Sequence, residues 1–208
     1  MVTTPDLLAA GPEIFLAVMG MVLMMIGVFS PEKRALGIVS GLTVASFAVV
    51  LAYYLFMASG ERSVAFAGLF VTDAFAIFMK ALVLLGGILV LLMGDSFVRR
   101  EGMARFEFPI LVIYATVGMM MMISANDLIS LYMGLELQSL SLYVIAAIQR
   151  DRIRSSEAGL KYFVLGALSS GLLLYGCSMI YGFAGTTQFE ALAGLFDGNA
   201  SPLKYFPT

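Results

Sequence analysis

Few ionisable residues interrupt the long apolar runs of this sequence, and Glu136 is the most deeply placed of them. It lies nine residues after Asp127 and thirteen before Gln149, inside an apolar run of helical length. At ~1.5 Å per helical residue, Glu136 is ~14 Å from one end of the run and ~20 Å from the other. In hydrocarbon, desolvation favours a neutral carboxyl group and a nearby cation favours an ionised one, so this residue has the chemistry of a proton relay.

Hydroxyl groups follow the same helical face as Glu136. Tyr132, Ser139 and Tyr143 recur at helical spacing around it, so they could hydrogen-bond the carboxylate or organise water beside it. Polar side chains at this spacing also hold membrane helices together without any further role. The sequence favours a functional role for Glu136 and leaves both roles open for the three hydroxyls.

Two lysines also lie within apolar runs. Lys161 falls one or two turns into its run, which offsets it from Glu136 by ~10 Å or more along the helix direction and argues against a direct salt bridge. Water could couple the two groups, which is the role we favour, or Lys161 could extend to the interface. Lys80 is expected to extend outward to the interface, although it is a further candidate for the polar relay. Glu13 and Glu107 are expected at span borders.

The composition of the chain indicates that lipid is its main solvent. Hydrophobic residues make up 61% of the sequence, charged residues only 12%, and the mean hydropathy is +0.96. Soluble proteins carry about 25% charged residues. The net charge of -2 provides no basic surface for nucleic acid. The sequence has no His and a single cysteine, Cys177, so we expect neither a metal site nor a cofactor site in this chain.

Six apolar runs follow one another along the chain. They fall at about residues 12–29, 35–58, 73–93, 108–124, 128–148 and 158–183. Each is long enough to cross a hydrocarbon core of ~30 Å. Only helices and closed barrels satisfy the backbone in lipid, and these runs lack the alternating pattern of barrel strands. The sequence therefore predicts an all-α, polytopic transmembrane helical bundle with about six spans.

The basic residues of the loops predict the orientation of the bundle. Arg62 and Lys204 fall on one face, and eight others fall on the opposite face: Lys33, Arg34, Arg99, Arg100, Arg105, Arg150, Arg152 and Arg154. The positive-inside rule then places both termini on the non-cytoplasmic side. Residues 185–208 are expected to form an extramembrane or interfacial tail, with an amphipathic piece at about residues 189–196.

Two stretches of the sequence carry a family resemblance. Residues 126–128 (NDL) and 132–143 (YMGLELQSLSLY) are similar to the fifth helix of the antiporter-like subunits of respiratory complex I. Residues 155–171 (SSEAGLKYFVLGALSSG), with residues 174–176 (LYG) after them, resemble the subunit N family of bacterial NADH-quinone oxidoreductase, the counterpart of mitochondrial subunit 2.

The resemblance implies a domain organisation and roles for two residues. Residues 1–106 would form three leading transmembrane helices, and residues 107–184 the first part of an antiporter-like repeat. Glu136 matches the fifth-helix glutamate of the family, and Lys161 matches its sixth-helix lysine. Members of the family are longer than this chain and carry further helices after the sixth.

The resemblance also implies a function, which is proton pumping driven by electron transfer from NADH to quinone in a bacterial inner (plasma) membrane. NADH, FMN, iron–sulfur clusters and quinone would then be bound by partner subunits, and the partners of this chain would be other membrane-arm subunits of complex I. Two alternatives stay open. The chain could be a subunit of a multi-subunit cation/proton antiporter, which shares the fifth-helix glutamate, or a purely structural bundle that docks its neighbours.

Overall fold

Six long helices dominate the computed structural model, which describes residues 4–58, 60–100 and 105–196. These helices are α2 (Gly11–Phe29), α3 (Glu32–Phe56), α4 (Ala74–Arg100), α5 (Glu107–Ser124), α6 (Leu128–Ala146) and α7 (Ile153–Ala184). Each contains a window that is long and apolar enough to cross a membrane. The predicted all-α bundle with six spans is confirmed. The helices α4 and α7 run beyond the predicted spans, because charged residues can extend a helix into the interface.

Short elements gather at one end of the bundle, around the start of α2. They are α1 (Thr4–Ala9), the strands β1 (Ser63–Ala65) and β2 (Phe70–Thr72), and α8 (Phe189–Phe196). The antiparallel strands form a small hairpin between α3 and α4, which the hydropathy pattern did not indicate. Its tip turns through Phe66, Ala67 and Gly68, all with positive φ. The predicted amphipathic piece at residues 189–196 is helical, as α8.

Backbone hydrogen bonds tie this end together, and we call it the amino-terminal face (α1, the hairpin, residues 125–127 and residues 185–196). Asn126 joins the hairpin through its N–H to Leu69 O at 3.0 Å and through its side-chain amide to Gly68 O at 2.9 Å. Its own carbonyl accepts from Phe189 N at 3.1 Å. The opposite end, residues 30–34, 99–100, 105–107 and 147–154, is called the arginine face.

Local sequence signals set the ends of the helices that carry the site. The Asp127 carboxylate caps α6 by accepting a hydrogen bond from Ile129 N at 2.7 Å, which satisfies an otherwise unpaired N–H group. Thr187 donates to the other carboxylate oxygen. The helix α7 ends at Gly185, whose left-handed conformation (φ 67°) suits a residue without a side chain.

The helix α5 lies at the centre of the bundle and is the most buried of the six spans. Ile113 and Met120 of α5 pack in one core with Leu16 of α2, Phe47 of α3 and Leu84 of α4. By contrast, little of α7 is buried within the described chain. Its apolar outer faces are therefore available to lipid or to other protein.

Glycines allow α5 and α6 to touch through their backbones. A methyl group at Gly118 would lie 2.6 Å from Gln138 N, and one at Gly134 would lie 2.9 Å from Gly118 O. Such distances leave no room for a side chain on either helix. Gly41, by comparison, has no atom within 4 Å of that position. The sequence signal for close packing of α5 against α6 is therefore Gly118 on one helix and Gly134 on the other.

Candidate functional site

Glu136 lies in the span α6 and makes its polar contact with α7. Ser170 of α7 donates a hydrogen bond to Glu136 Oε1. The Ser170 hydroxyl also shares a hydrogen bond of 3.1 Å with the hydroxyl of Tyr132, one turn away from Glu136 on α6. Glu136 and Tyr132 are half-buried and Ser170 is buried. The three residues form one connected chain, the polar chain Tyr132–Ser170–Glu136.

The face of α7 that meets α6 is built from small residues, which bring Ser170 within reach. A methyl group at Gly159 would lie 2.5 Å from Ala147, and one at Gly166 would clash with the hydroxyl of Tyr143. Gly159, Gly166 and Ser170 follow one another at helical spacing on this face. Ser170 was missed by the sequence reasoning, and this spacing is the signal that could have found it.

The other two predicted hydroxyls lie along the same side of α6 but outside the polar chain. The ring of Tyr143 packs edge-on against Tyr162, with centroids 4.8 Å apart, and against Phe163 at 5.7 Å. Ser139 is half-buried. Tyr143 lies seven residues after Glu136, or ~10 Å along the helix, toward the arginine face.

An open cavity of about 550 Å³ adjoins Tyr143 at the arginine face. Charged and polar residues at its rim include Arg105, Glu107, Arg150 and Ser156. Glu107 starts α5, as expected of a residue at a span border. The cavity extends from the arginine face as far as Tyr143, on the helix that carries Glu136.

Lys161 is not brought to Glu136. Its amine is 2.5 Å from Glu157 Oε1, one turn earlier on α7, and the two side chains are 70% and 55% exposed. Lys161 precedes Ser170 by nine residues, which places the two on opposite sides of α7, about 180° apart. The expectation that the two groups form no direct salt bridge agrees with this placement. The water-bridged coupling that we favoured finds no support in it, and the partner Glu157 was not anticipated.

Lys80 and Glu13 require a correction. Neither reaches the interface: Lys80 Nζ lies 2.6 Å from Glu13 Oε1, and the two side chains are 0% and 5% exposed. Glu13 is in the first turn of α2 and Lys80 is two turns into α4, so the lysine chain spans the difference in depth. The packed aromatic rings of Tyr54 and Phe70 lie 5.7 and 4.8 Å from the amine. Snorkelling was the wrong expectation because the amine is buried beside an acidic partner.

Comparison with known proteins identifies relatives of this chain among membrane subunits. Residues 125–205 match the family described as the transmembrane part of NADH:quinone oxidoreductase and the Mrp antiporter. Subunit N of NADH-quinone oxidoreductase from Rhodospirillum rubrum is 61% identical over 183 residues, 88% of this chain and 37% of the relative. This chain is homologous to part of subunit N. The subunit N of Paramagnetospirillum magneticum is 56% identical and matches 98% of this chain and 42% of its own length.

A solved structure supports the same relationship. Respiratory complex I from Thermus thermophilus with bound aureothin contains a chain that matches 85% of this chain and 38% of its own length, with a TM-score of 0.70 and 33% identity. This chain spans about two-fifths of the length of the curated relatives described above. The predicted resemblance to subunit N and the multi-pass location in a bacterial membrane are confirmed.

Proposed function

We propose that this chain is a proton-translocating membrane-arm subunit of an NADH-quinone oxidoreductase and that Glu136 carries the proton. The observation that supports this most is the polar chain Tyr132–Ser170–Glu136, which joins two membrane-spanning helices. A carboxyl group connected to hydroxyls in a membrane is a functional arrangement by default, because its charge is costly to hold there.

The proposed route begins at the arginine face. The cavity beside Tyr143 brings water to α6, and a proton passes from there along the side of the helix that also presents Ser139 to Glu136. Ser170 and Tyr132 continue the route toward the amino-terminal face, because a hydroxyl accepts a proton on one side and gives one up on the other. A change of charge near Glu136 alters which of its protonation states is favoured. Loading and release can thereby be separated in time.

Lys161 would act from the other side of α7 in this proposal. Its exposed pair with Glu157 lies on the face that is uncovered within the described chain. Switching of this pair by a neighbouring element would move charge on α7 without direct contact with Glu136. The redox chemistry, with NADH, FMN, iron–sulfur clusters and quinone, would belong to partner subunits of the same complex. Lys80, buried against Glu13, is left out of this route.

The test is proton movement in membrane vesicles that contain the assembled complex. We expect Glu136→Gln to lower the number of protons moved per NADH oxidised, with normal assembly on native gels. Glu190→Gln is the matched control, because Glu190 pairs with Arg62 at the exposed amino-terminal face. An unchanged proton-to-electron ratio in Glu136→Gln would contradict the proposal. Loss of assembly in that variant, at least equal to its loss of turnover, would favour the purely structural bundle.

A cation/proton antiporter is the second candidate, because the matched family description also names the Mrp antiporter. The same polar chain would serve it, with a sodium gradient in place of electron transfer. A sodium pulse applied to vesicles without NADH separates the two functions. Sodium-dependent proton movement that Glu136→Gln abolishes would favour the antiporter, and its absence together with NADH-driven movement would favour the oxidoreductase.

A further inference from the structure

The buried pair of Glu13 and Lys80 lies among polar atoms that the described chain leaves without partners. Apart from their mutual contact, the amine of Lys80 makes no hydrogen bond to the described residues and the hydroxyl of Thr72 likewise has none, while the Glu13 carboxylate has the hydroxyl of Tyr54 beside it. An ammonium has three N–H groups and a carboxylate about four acceptor positions. A single contact of 2.6 Å therefore leaves most of them unused.

A buried ion pair that serves only stability would be expected to have its remaining hydrogen-bonding positions satisfied. Desolvating two charges costs more than their attraction returns unless further hydrogen bonds satisfy both groups. Buried polar groups in proteins almost always have a partner, which can be ordered water. The unused positions of Glu13 and Lys80 and the unpaired hydroxyl of Thr72 thus indicate that water reaches this cluster.

A cavity of about 160 Å³ at the amino-terminal face lies next to this cluster and reaches two of its members. Tyr54 and Thr72 line it, and so do Glu61 and Ser63 of the exposed hairpin side. At ~30 Å³ per water molecule, it has room for several. The Tyr54 hydroxyl interacts with Glu13, and the Tyr54 ring lies 5.7 Å from the amine of Lys80. This residue therefore connects the cavity to the pair.

We propose that the Glu13–Lys80 pair is a second proton-binding site, which exchanges a proton with water at the amino-terminal face. Within the pair, an N–H bond of Lys80 breaks and an O–H bond forms at Glu13 Oε1, which leaves a neutral amine and a neutral carboxyl group. The amine then takes one proton from a hydronium ion in the cavity and water is released. Lys80 is again an ammonium and Glu13 is protonated, so the site has gained one proton.

Within the part of the chain that the structure describes, other polar or titratable groups around the pair are few, and most are neutral. These are Tyr53 and Tyr54 of α3, Thr72 of β2, Asp73 at the start of α4, and Glu61 and Ser63 at the cavity mouth. On the side of α5 and α6, Glu13 borders a second cavity of about 530 Å³ that is almost wholly apolar, with Val117, Met133 and Leu137 in its lining. This apolar layer separates the pair from the polar chain of Glu136.

Infrared difference spectroscopy on the full chain in lipid vesicles tests the proposal. A step to acid pH, applied only at the amino-terminal face, should produce the carbonyl stretch of a newly protonated carboxyl group. Glu13→Gln should lose that band, whereas Glu107→Gln and Glu136→Gln should keep it. Lys80→Met removes the cation while Glu13 remains, so its band should no longer respond to the step.

The outcomes separate a proton site from a structural pair. If Glu13→Gln folds poorly, Glu13→Gln/Lys80→Met removes both charges together and should lose the same band in a folded protein. A spectrum of either variant that matches the wild type would overturn the proposal, and so would a band that answers only to a pH step at the arginine face.

Discussion

The first three spans and the last three hold their intramembrane charge in two different ways. In the first three, Glu13 and Lys80 neutralise each other while buried. In the last three, Glu136 is half-buried and is held by the hydroxyl of Ser170. An ion pair fixes its charges by mutual attraction, whereas a hydroxyl can serve both the neutral and the ionised carboxyl group. The second arrangement therefore keeps its contact in either protonation state of the carboxyl group.

The surroundings of the two groups differ in the same sense. Glu13 and Lys80 lie against the packed helices α2, α3 and α4, which share one core with α5. The polar chain of Glu136 lies between α6 and α7, and most of α7 is exposed in the described chain. A neighbouring protein could therefore act on Glu136 through α7. The helices that carry the buried pair, α2 and α4, also have exposed faces, but more of each is buried than of α7.

The largest effect should come from breaking the buried pair on one side. Lys80→Met leaves the Glu13 carboxylate without its cation, which is expected to cost about 3–5 kcal/mol of unfolding free energy. Glu13→Gln/Lys80→Met should recover most of that loss. Denaturation of the purified chain in detergent micelles measures both. A single variant as stable as the double one would show that the pair does not hold its charges as described.

Closing the contact between α5 and α6 should have the next largest effect. Gly118→Ala places a methyl group 2.6 Å from the backbone nitrogen of Gln138, and the helices must separate at a cost of about 2–3 kcal/mol. Gly41→Ala, which meets open space, should be neutral or stabilise by up to ~1 kcal/mol. Thermal unfolding of the two variants side by side would expose the account as wrong if their stabilities changed equally.

Removing the hydroxyl of Ser170 should lower stability only modestly but should slow proton movement. Ser170→Ala takes away the donor to Glu136, worth about 1.5 kcal/mol for a bond to a charged acceptor, and it interrupts the polar chain. We expect slower proton movement per NADH in vesicles. Ser169→Ala is the control, because Ser169 is the exposed neighbour. Equal proton rates in the two variants would remove Ser170 from the proposed route.

The smallest effect on stability is expected at Lys161. Its pair with Glu157 is exposed at both ends, and such i,i+4 pairs contribute less than ~1 kcal/mol. Lys161→Gln should therefore unfold like the wild type, and any loss of proton movement would reflect function. A destabilisation comparable to that of Lys80→Met would contradict the exposed position of the Lys161–Glu157 pair.

The spans and the position of Glu136 deep within one of them could be predicted because they depend on local hydropathy and on depth along one helix. The pairing of Glu13 with Lys80 could not, because it depends on which helices are neighbours. Residues 67 positions apart in the sequence carry no shared periodic signal. The hairpin between α3 and α4 was missed for a related reason. Its strands of three residues are stabilised by contacts to the α5–α6 turn, such as the bridge between Phe70 and Ala125.

The position of Ser170 has a sequence signal, which is the small-residue face of α7. Ser170 lies in the stretch whose resemblance to subunit N was noted, and the small residues Gly159 and Gly166 mark the face of α7 that it shares. The position of Lys161 on the opposite side of α7 follows from the same helical spacing. The orientation of the bundle in the membrane and the division into residues 1–106, 107–184 and 185–208 stay predictions.

The most direct measurement is the infrared difference spectrum of the assembled complex during NADH turnover, because it observes the protonation of Glu136 itself. The account predicts a carbonyl band of a protonated carboxyl group that Glu136→Gln removes and that Ser170→Ala shifts in frequency. A turnover spectrum of Glu136→Gln with the same carboxyl bands as the wild type would show that Glu136 keeps one protonation state, and the account would be contradicted.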